Sequence, residues 1–195
     1  HVGYVVEDID RAVAELAGKG FKFAADKPFT NVMGHQLLYF DAATTNGVKV
    51  HLTQLLSQGE TEGADAGLDV ERIVHAGYRV RNLEKAIAWY VDNLQGEYLG
   101  GGAGRVGENA FVNFGQVQVE LIRPEDPAGL PAEAHVMDHV GYVVGDIQSC
   151  IGNCQAQGLK FAGEAPVTNS VGQQVLYFDT GTTMGSRMHL TRLPG

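Results

Sequence analysis

The chain has 195 residues, 44% of them apolar and 19% charged, with 26 glycines. That composition belongs to an ordinary globular chain and excludes disorder and collagen-like repetition. Fourteen Lys and Arg against 23 Asp and Glu give a net charge of −9, which argues against nucleic acid or an anionic membrane as a partner. No run reaches the roughly 18 apolar residues of a membrane span, and no signal-peptide-like segment opens the sequence.

In chain order, His1-Val2-Gly3-Tyr4-Val5-Val6 reads as a strand. Asp8 is a helix cap, and Ile9, Ala12, Val13 and Leu16 form the apolar stripe of about three helical turns. Segments punctuated by Gly, Pro and Asn then carry about three more strands, ending on His51-Leu52-Thr53. The polar stretch from Ser57 to Asp69 reads as a linker. A second unit opens on His75-Ala76-Gly77-Tyr78 and has Asn82 as cap and Leu83, Ala86, Ile87 and Tyr90 as stripe. It closes on Val117-Gln118-Val119-Glu120-Leu121-Ile122-Arg123-Pro124. A second linker, from Pro124 to Ala134, holds Pro124, Pro127 and Pro131.

The third unit decides the reading. Residues 1–55 align without a gap on residues 139–193, and 28 of the 55 positions are identical. Within it, Asp146 is the cap, and Ile147, Cys150, Ile151 and Cys154 share one helical stripe. The two cysteines read as buried core thiols rather than a redox pair, which suits a reducing, cytoplasmic setting. Each unit is thus β-α-β-β-β. About 55 residues bury too little core to stand alone, so the units are expected to pair. The expected fold is α+β, with βαβββ modules paired into curved mixed sheets around a concave cavity. Residues 1–56 form a second half in search of its first. Residues 72–195 form a complete two-module domain (72–124 and 136–195).

Five of the seven histidines sit on the first or last strand of a unit: His1, His51, His75, His139 and His189. Strand alternation puts His139 with Gly141 and Val143 on one face, and Arg187, His189 and Thr191 on the matching face of the last strand. In the second unit Gln118, Glu120 and Ile122 take that face. A single strand histidine is usually a satisfied structural residue. Recurrence at equivalent positions points instead to imidazoles and a carboxylate converging on a divalent ion. His35 and His135 have no counterparts, so both are expected at the surface.

These residues resemble the vicinal oxygen chelate superfamily, which includes glyoxalase I, methylmalonyl-CoA epimerase and the extradiol dioxygenases. The resemblance spans essentially the whole chain and rests on the His-x-Gly-Tyr-x-Val strands and on Val119-Glu120-Leu121-Ile122-Arg123-Pro124. It implies a metal in the hollow of two paired modules, held by His75, Glu120, His139 and His189. His1 and His51 would be half of a further site. The isomerases of this family usually have glutamate where this chain has His189. Three imidazoles and one carboxylate leave a divalent ion at formal +1 and leave Glu120 as the catalytic base. The implied ion is Zn, Mn, Fe, Co or Ni, with zinc slightly favoured.

The function expected is a metal-dependent epimerase or isomerase acting through an enolate. Its substrate would be a small polyhydroxy ketone, such as a cyclitol ketone, or a 2-keto compound. Alternatives are a glyoxalase-type lyase, a methylmalonyl-CoA-type epimerase, an extradiol-type dioxygenase and a ligand-sequestering protein. Asn113, Gln174, Tyr177, Arg79 and Arg187 are the candidate substrate contacts, and no dense Lys/Arg cluster suits a CoA phosphate. For residues 1–56 the expected partner is an upstream module or the same module of a homodimer.

Overall fold

A computed structural model describes residues 1–55, 70–104 and 106–195; the expected linker from Ser57 to Asp69 lies outside them. Contacts divide the chain into two compact units. One comprises His1–Glu62 with Pro131–Val136, and the other Gly63–Leu130 with Met137–Gly195.

In the first unit, β1 (Val2–Val5) leads to α1 (Ile9–Gly18), followed by β2 (Phe29–Thr30), β3 (Gln36–Tyr39) and β4 (Val50–Gln54). These strands make one sheet in the order β1-β4-β3-β2. Asp8 caps α1 as expected, its carboxylate accepting from the Arg11 amide at 2.9 Å. Ile9 at the start of the helix is 1% exposed.

The second unit begins with β5 (Val70–Arg79), α2 (Leu83–Leu94), β6 (Glu97–Gly104), β7 (Gly107–Phe114) and β8 (Val117–Pro124). It continues with β9 (Val136–Val144), α3 (Ile147–Ala156), β10 (Val167–Thr168), β11 (Gln174–Tyr177) and β12 (Met188–Arg192). Its eight strands form one mixed sheet, β10-β11-β12-β9-β5-β8-β7-β6. The first strand of each βαβββ segment pairs in parallel with the last, β5 with β8 and β9 with β12. A helix must cross between such strands, which is why each segment places its helix straight after its first strand. The two first strands, β5 and β9, meet at the centre of the sheet.

One face of this sheet carries the core. Under α3, the Val144, Ile147, Cys150, Cys154, Phe178 and Leu190 side chains pack as one buried cluster. Under α2, Val80, Ala86, Tyr90, Val119 and Leu121 are buried. Both cysteines are buried thiols outside any disulfide. The opposite face bears the polar residues, and that separation follows from strict alternation along each strand.

Candidate metal centre

Register fixes which side chains meet. In the β5–β8 pair Gly77 lies opposite Glu120, and in the β9–β12 pair Gly141 lies opposite His189. Each module thereby sets its last-strand ligand beside the glycine two residues after its first-strand histidine. The glycines are required sterically. A Cβ on Gly141 would lie 2.5 Å from the His189 ring, and one on Gly77 would lie 2.2 Å from that of His139.

The four residues expected to be ligands are brought together. His75 Nε2 lies 2.9 Å from His189 Nε2 and 3.0 Å from His139 Nε2. The Glu120 carboxylate is 3.1 Å from His139 Nε2 and 3.2 Å from His75 Nε2. All three histidines are at most 2% exposed. Among the described residues, theirs is the one cluster of three or more His, Cys, Asp or Glu side chains with gathered ligand atoms.

Outer partners decide the tautomers. His139 Nδ1 lies 2.8 Å from the buried Asp138 carboxylate and donates to it. His189 Nδ1 faces the Leu190 carbonyl at 3.3 Å and the Thr191 hydroxyl at 2.9 Å. With their Nδ1 protons so placed, both rings turn bare Nε2 lone pairs on the common point. His75 Nε2 lies 2.9–3.0 Å from both; were its proton on Nδ1, which has no hydrogen-bond partner, the three lone pairs would repel one another unless a cation lay between them. Ligand atoms about 2.0–2.1 Å from a zinc-like ion stand roughly 2.9–3.4 Å apart, so this donor set fits a divalent metal.

Electrostatics agree. Burial, reinforced by its histidine neighbours, lowers the His75 pKa to about 3, and the same causes lower that of His189 to about 3. Burial also opposes charge on His139, but the Asp138 and Glu120 carboxylates outweigh it and raise that pKa. Glu120 is held ionised against its burial by His139, His75 and the Asn109 amide, which donates to it at 3.2 Å. The Tyr177 hydroxyl lies 3.3 Å from His139 Nε2, and burial raises its pKa, keeping it protonated.

A cavity of about 620 Å³ opens onto this cluster. His75, Glu120, His189, Asn109 and Tyr177 line it beside apolar walls that include Val106, Ile122, Val167, Val175 and Phe178. Arg187 reaches the lining, lies over the Tyr177 ring at 4.9 Å and pairs with Asp138.

Several expected positions differ. Gln174 is exposed and is not a lining residue: Tyr177 faces the cavity, and a separation of three along a strand reverses the side. Asn113 pairs with Gln118, farther along β7 and β8 than the lining. Arg79 turns to Asp138, with Nε at 3.1 Å, and is also outside the lining. His35 and His135 are half-buried, not surface residues. His35 sits in the β2–β3 turn, where its amide bonds the Asn31 side chain, and the His135 amide bonds the Asn46 carbonyl.

Two supporting residues, Asp138 and Asn109, escaped the sequence reading, and a third, Thr191, was placed on its face without a role. Thr191 was readable, because it shares the face of His189. Asp138 precedes His139, but nothing in sequence says that a neighbour folds back onto its ring. Asn109 needed the β7–β8 register, which sets Phe111 opposite Glu120 and so brings Asn109 onto the same face.

In the first unit His1 and His51 are neighbours, with ring centroids 5.1 Å apart. Tyr39 lies beside both, at 5.9 Å and 4.9 Å.

Comparison with known proteins places this geometry in context. Residues 74–177 match the sequence family described as the Glyoxalase/Bleomycin resistance protein/Dioxygenase superfamily. No curated protein matches the chain in sequence. Among solved structures, methylmalonyl-CoA epimerase from Mycobacterium tuberculosis is similar over 68% of this chain and 95% of its own, at 18% identity and a TM-score of 0.60. A hypothetical protein from Bacillus halodurans C-125 is similar over 64% of this chain and 95% of its own, at 20% identity and a TM-score of 0.55. A Streptomyces coelicolor methylmalonyl-CoA epimerase variant in complex with 2-nitronate-propionyl-CoA is similar over 65% and 99%, at 14% identity and a TM-score of 0.58. At these identities the likeness is one of fold.

Proposed function

The chain belongs to the Glyoxalase/Bleomycin resistance protein/Dioxygenase superfamily, and from that premise we propose that residues 70–195 are a metal-dependent epimerase or isomerase. The substrate class is a small polyhydroxy ketone or 2-keto compound, with a cyclitol ketone as one member. The observation that carries this reading is the meeting of three imidazole Nε2 atoms and one carboxylate within 2.9–3.2 Å.

His75, His139, His189 and Glu120 would hold the ion, with zinc favoured slightly over Mn, Fe, Co and Ni. These four residues would leave room at the ion for two adjacent substrate oxygens. A divalent ion there supplies Lewis acidity toward two adjacent substrate oxygens, which acidifies the neighbouring C–H. Glu120 takes that proton, being ionised, buried and directed into the cavity. Tyr177, held protonated by burial, donates to the substrate oxygen that gains charge. Return of the proton by Glu120 to the adjacent carbon gives isomerisation, and epimerisation would require that a second donor lining the cavity protonate the opposite face while Glu120 keeps the abstracted proton. The apolar walls exclude water from the carbanionic carbon.

The test is solvent exchange. Purified protein loaded with zinc or manganese is incubated in D2O with a panel of α-hydroxyketones and 2-keto acids, plus methylmalonyl-CoA, and exchange is followed by proton NMR. At least one small ketone should exchange. Glu120→Gln should retain metal yet lower the exchange rate about 10²-fold or more. Exchange that survives this substitution removes Glu120 as the base. Exchange with methylmalonyl-CoA alone replaces the substrate class with acyl thioesters.

A further inference from the structure

We propose that Arg187 is the anion-binding residue of the cavity in residues 70–195, and that the substrate carries a carboxylate a few bonds beyond the two oxygens at the ion. This deepens the reading above and rests on it, because it takes the cavity as a substrate site. It narrows the substrate class to its acidic members, short ketones or hydroxyketones with a carboxylate tail.

Charge is the first argument. Among the described residues that line the cavity, the acidic and basic side chains apart from histidine are Glu120, Asp179 and Arg187. Glu120 faces the imidazoles of His75 and His139, and the Asp179 carboxylate accepts from the Gly181 amide at 2.8 Å. Arg187 is the cation of the three, and its side chain is 40% exposed. Its Nη1 donates to Asp138. That carboxylate also meets Arg79 Nε at 3.1 Å and the His139 ring at 2.8 Å, so Arg79 already matches its single charge. Nε and Nη2 of Arg187 have no hydrogen-bond partner among the described residues. These two groups form the side edge of the guanidinium, which grips a planar carboxylate through two parallel hydrogen bonds.

Position is the second. Arg187 lies over the Tyr177 ring, 4.9 Å from its centroid, and the Tyr177 hydroxyl is 3.3 Å from His139 Nε2. One phenol ring therefore separates the guanidinium from the gathered ligand atoms, a span that a few carbon–carbon bonds of a substrate cover. The aromatic face also holds the guanidinium in place. Residues 1–55 repeat the device with a different side chain: Lys49, at the place of Arg187 in the gapless alignment, lies over Tyr39 at 5.2 Å. A positive charge is thus kept over the tyrosine while the residue that carries it changes. Asn109, Thr168, Asn169, Ser170 and Thr180 also line the cavity, but they are neutral, so a full negative charge finds its match at Arg187. In a cavity with apolar walls one such group sets both orientation and choice of ligand.

The experiment compares two hydroxyketones that differ only at the tail, 5-hydroxylevulinate with a carboxylate and 1-hydroxy-2-pentanone with a methyl group. Their affinities for the zinc-loaded full chain are measured by isothermal titration calorimetry, with zinc content checked in every protein. The acid should bind about 10–100-fold more tightly than the neutral ketone, as hydrogen bonds between charged groups provide. Arg187→Gln should bring the two affinities together. Arg187→Lys, which keeps the charge and loses the fork, should keep part of the preference. Distortion of the site would weaken both ligands alike, so the ratio reads the charge and not the fold. Equal affinities in the wild type, a preference that survives Arg187→Gln, or no binding of the acid overturns the proposal. Deuterium exchange reads the chemistry separately. A preference with no exchange across the ketone panel leaves the carboxylate site standing and removes the enolate mechanism, and exchange without a preference does the reverse.

Discussion

Asp138 joins three partners through one carboxylate: the His139 ring, the Arg79 guanidinium at 3.1 Å and Arg187. Its service to His139 is to keep the proton on Nδ1, so that Nε2 stays free for an ion. Asp138→Ala should weaken zinc binding about 10–100-fold, read by competition with a chromophoric chelator. Asp138→Asn, which keeps an accepting oxygen, should lose less. Equal affinity in all three proteins would show that the arginines and not the imidazole are what Asp138 serves. At this scale the histidines and Glu120 were legible because their side-chain period is two. Asp138 was not legible, because its contact depends on how the chain turns between residues 138 and 139 rather than on any spacing.

At the scale of elements, the paired first and last strands are what aim the ligands, and glycine makes the pairing possible. Gly141→Ala would put a methyl group against the His189 ring and 2.9 Å from Val74. It should cost about 1–3 kcal/mol through overpacking and reduce zinc affinity at least about tenfold by displacing the ligand. Gly152 is the control. It lies within α3, a Cβ there meets nothing within 4 Å, and the first segment has Ala14 at the equivalent place. Gly152→Ala should raise stability by about 0.5–1 kcal/mol and leave zinc binding unchanged. Urea midpoints of the two variants should therefore move in opposite directions. The helix starts were legible from the caps Asp8, Asn82 and Asp146, each of which accepts from a first-turn amide. Gln174 and Tyr177 lie three apart on one strand and so face opposite sides, which alternation alone already implied.

For the molecule as a whole, two of the three buried imidazoles create a pH liability. The folded pKa values of His75 and His189, about 3, lie below the ordinary 6.5. Their contribution is therefore intact above about pH 6.5 and is lost as pH falls toward 3, because the unfolded chain takes up protons that the folded chain refuses. His139, with a raised pKa, works the other way: what it adds is present at low pH and lost as pH rises. Two against one, acidification destabilises the metal-free protein. Each lowered histidine withdraws about 1.4 kcal/mol per pH unit. The urea midpoint of chelator-treated protein should fall between pH 7 and pH 4.5, followed through Trp89, the single tryptophan, which lies in α2. A midpoint that rises across this interval would contradict the neutral, buried state of His75 and His189. Among the described residues no helix is long and apolar enough to cross a membrane.

Alternation, helix stripes and the 28 identical positions shared by residues 1–55 and 139–193 were enough to determine the βαβββ pattern and the face of the five histidines at the first and last strands. Those properties depend on neighbours a few residues apart, and a sequence records such neighbours directly. Only the tertiary structure decided that β5 and β9 lie side by side, so that nitrogens from residues 75 and 189 come within 2.9 Å. It also decided that Asp138 closes onto His139. These are outcomes of inter-strand register and sheet curvature, which are set by the packing of the entire sheet and have no spacing of their own along the chain.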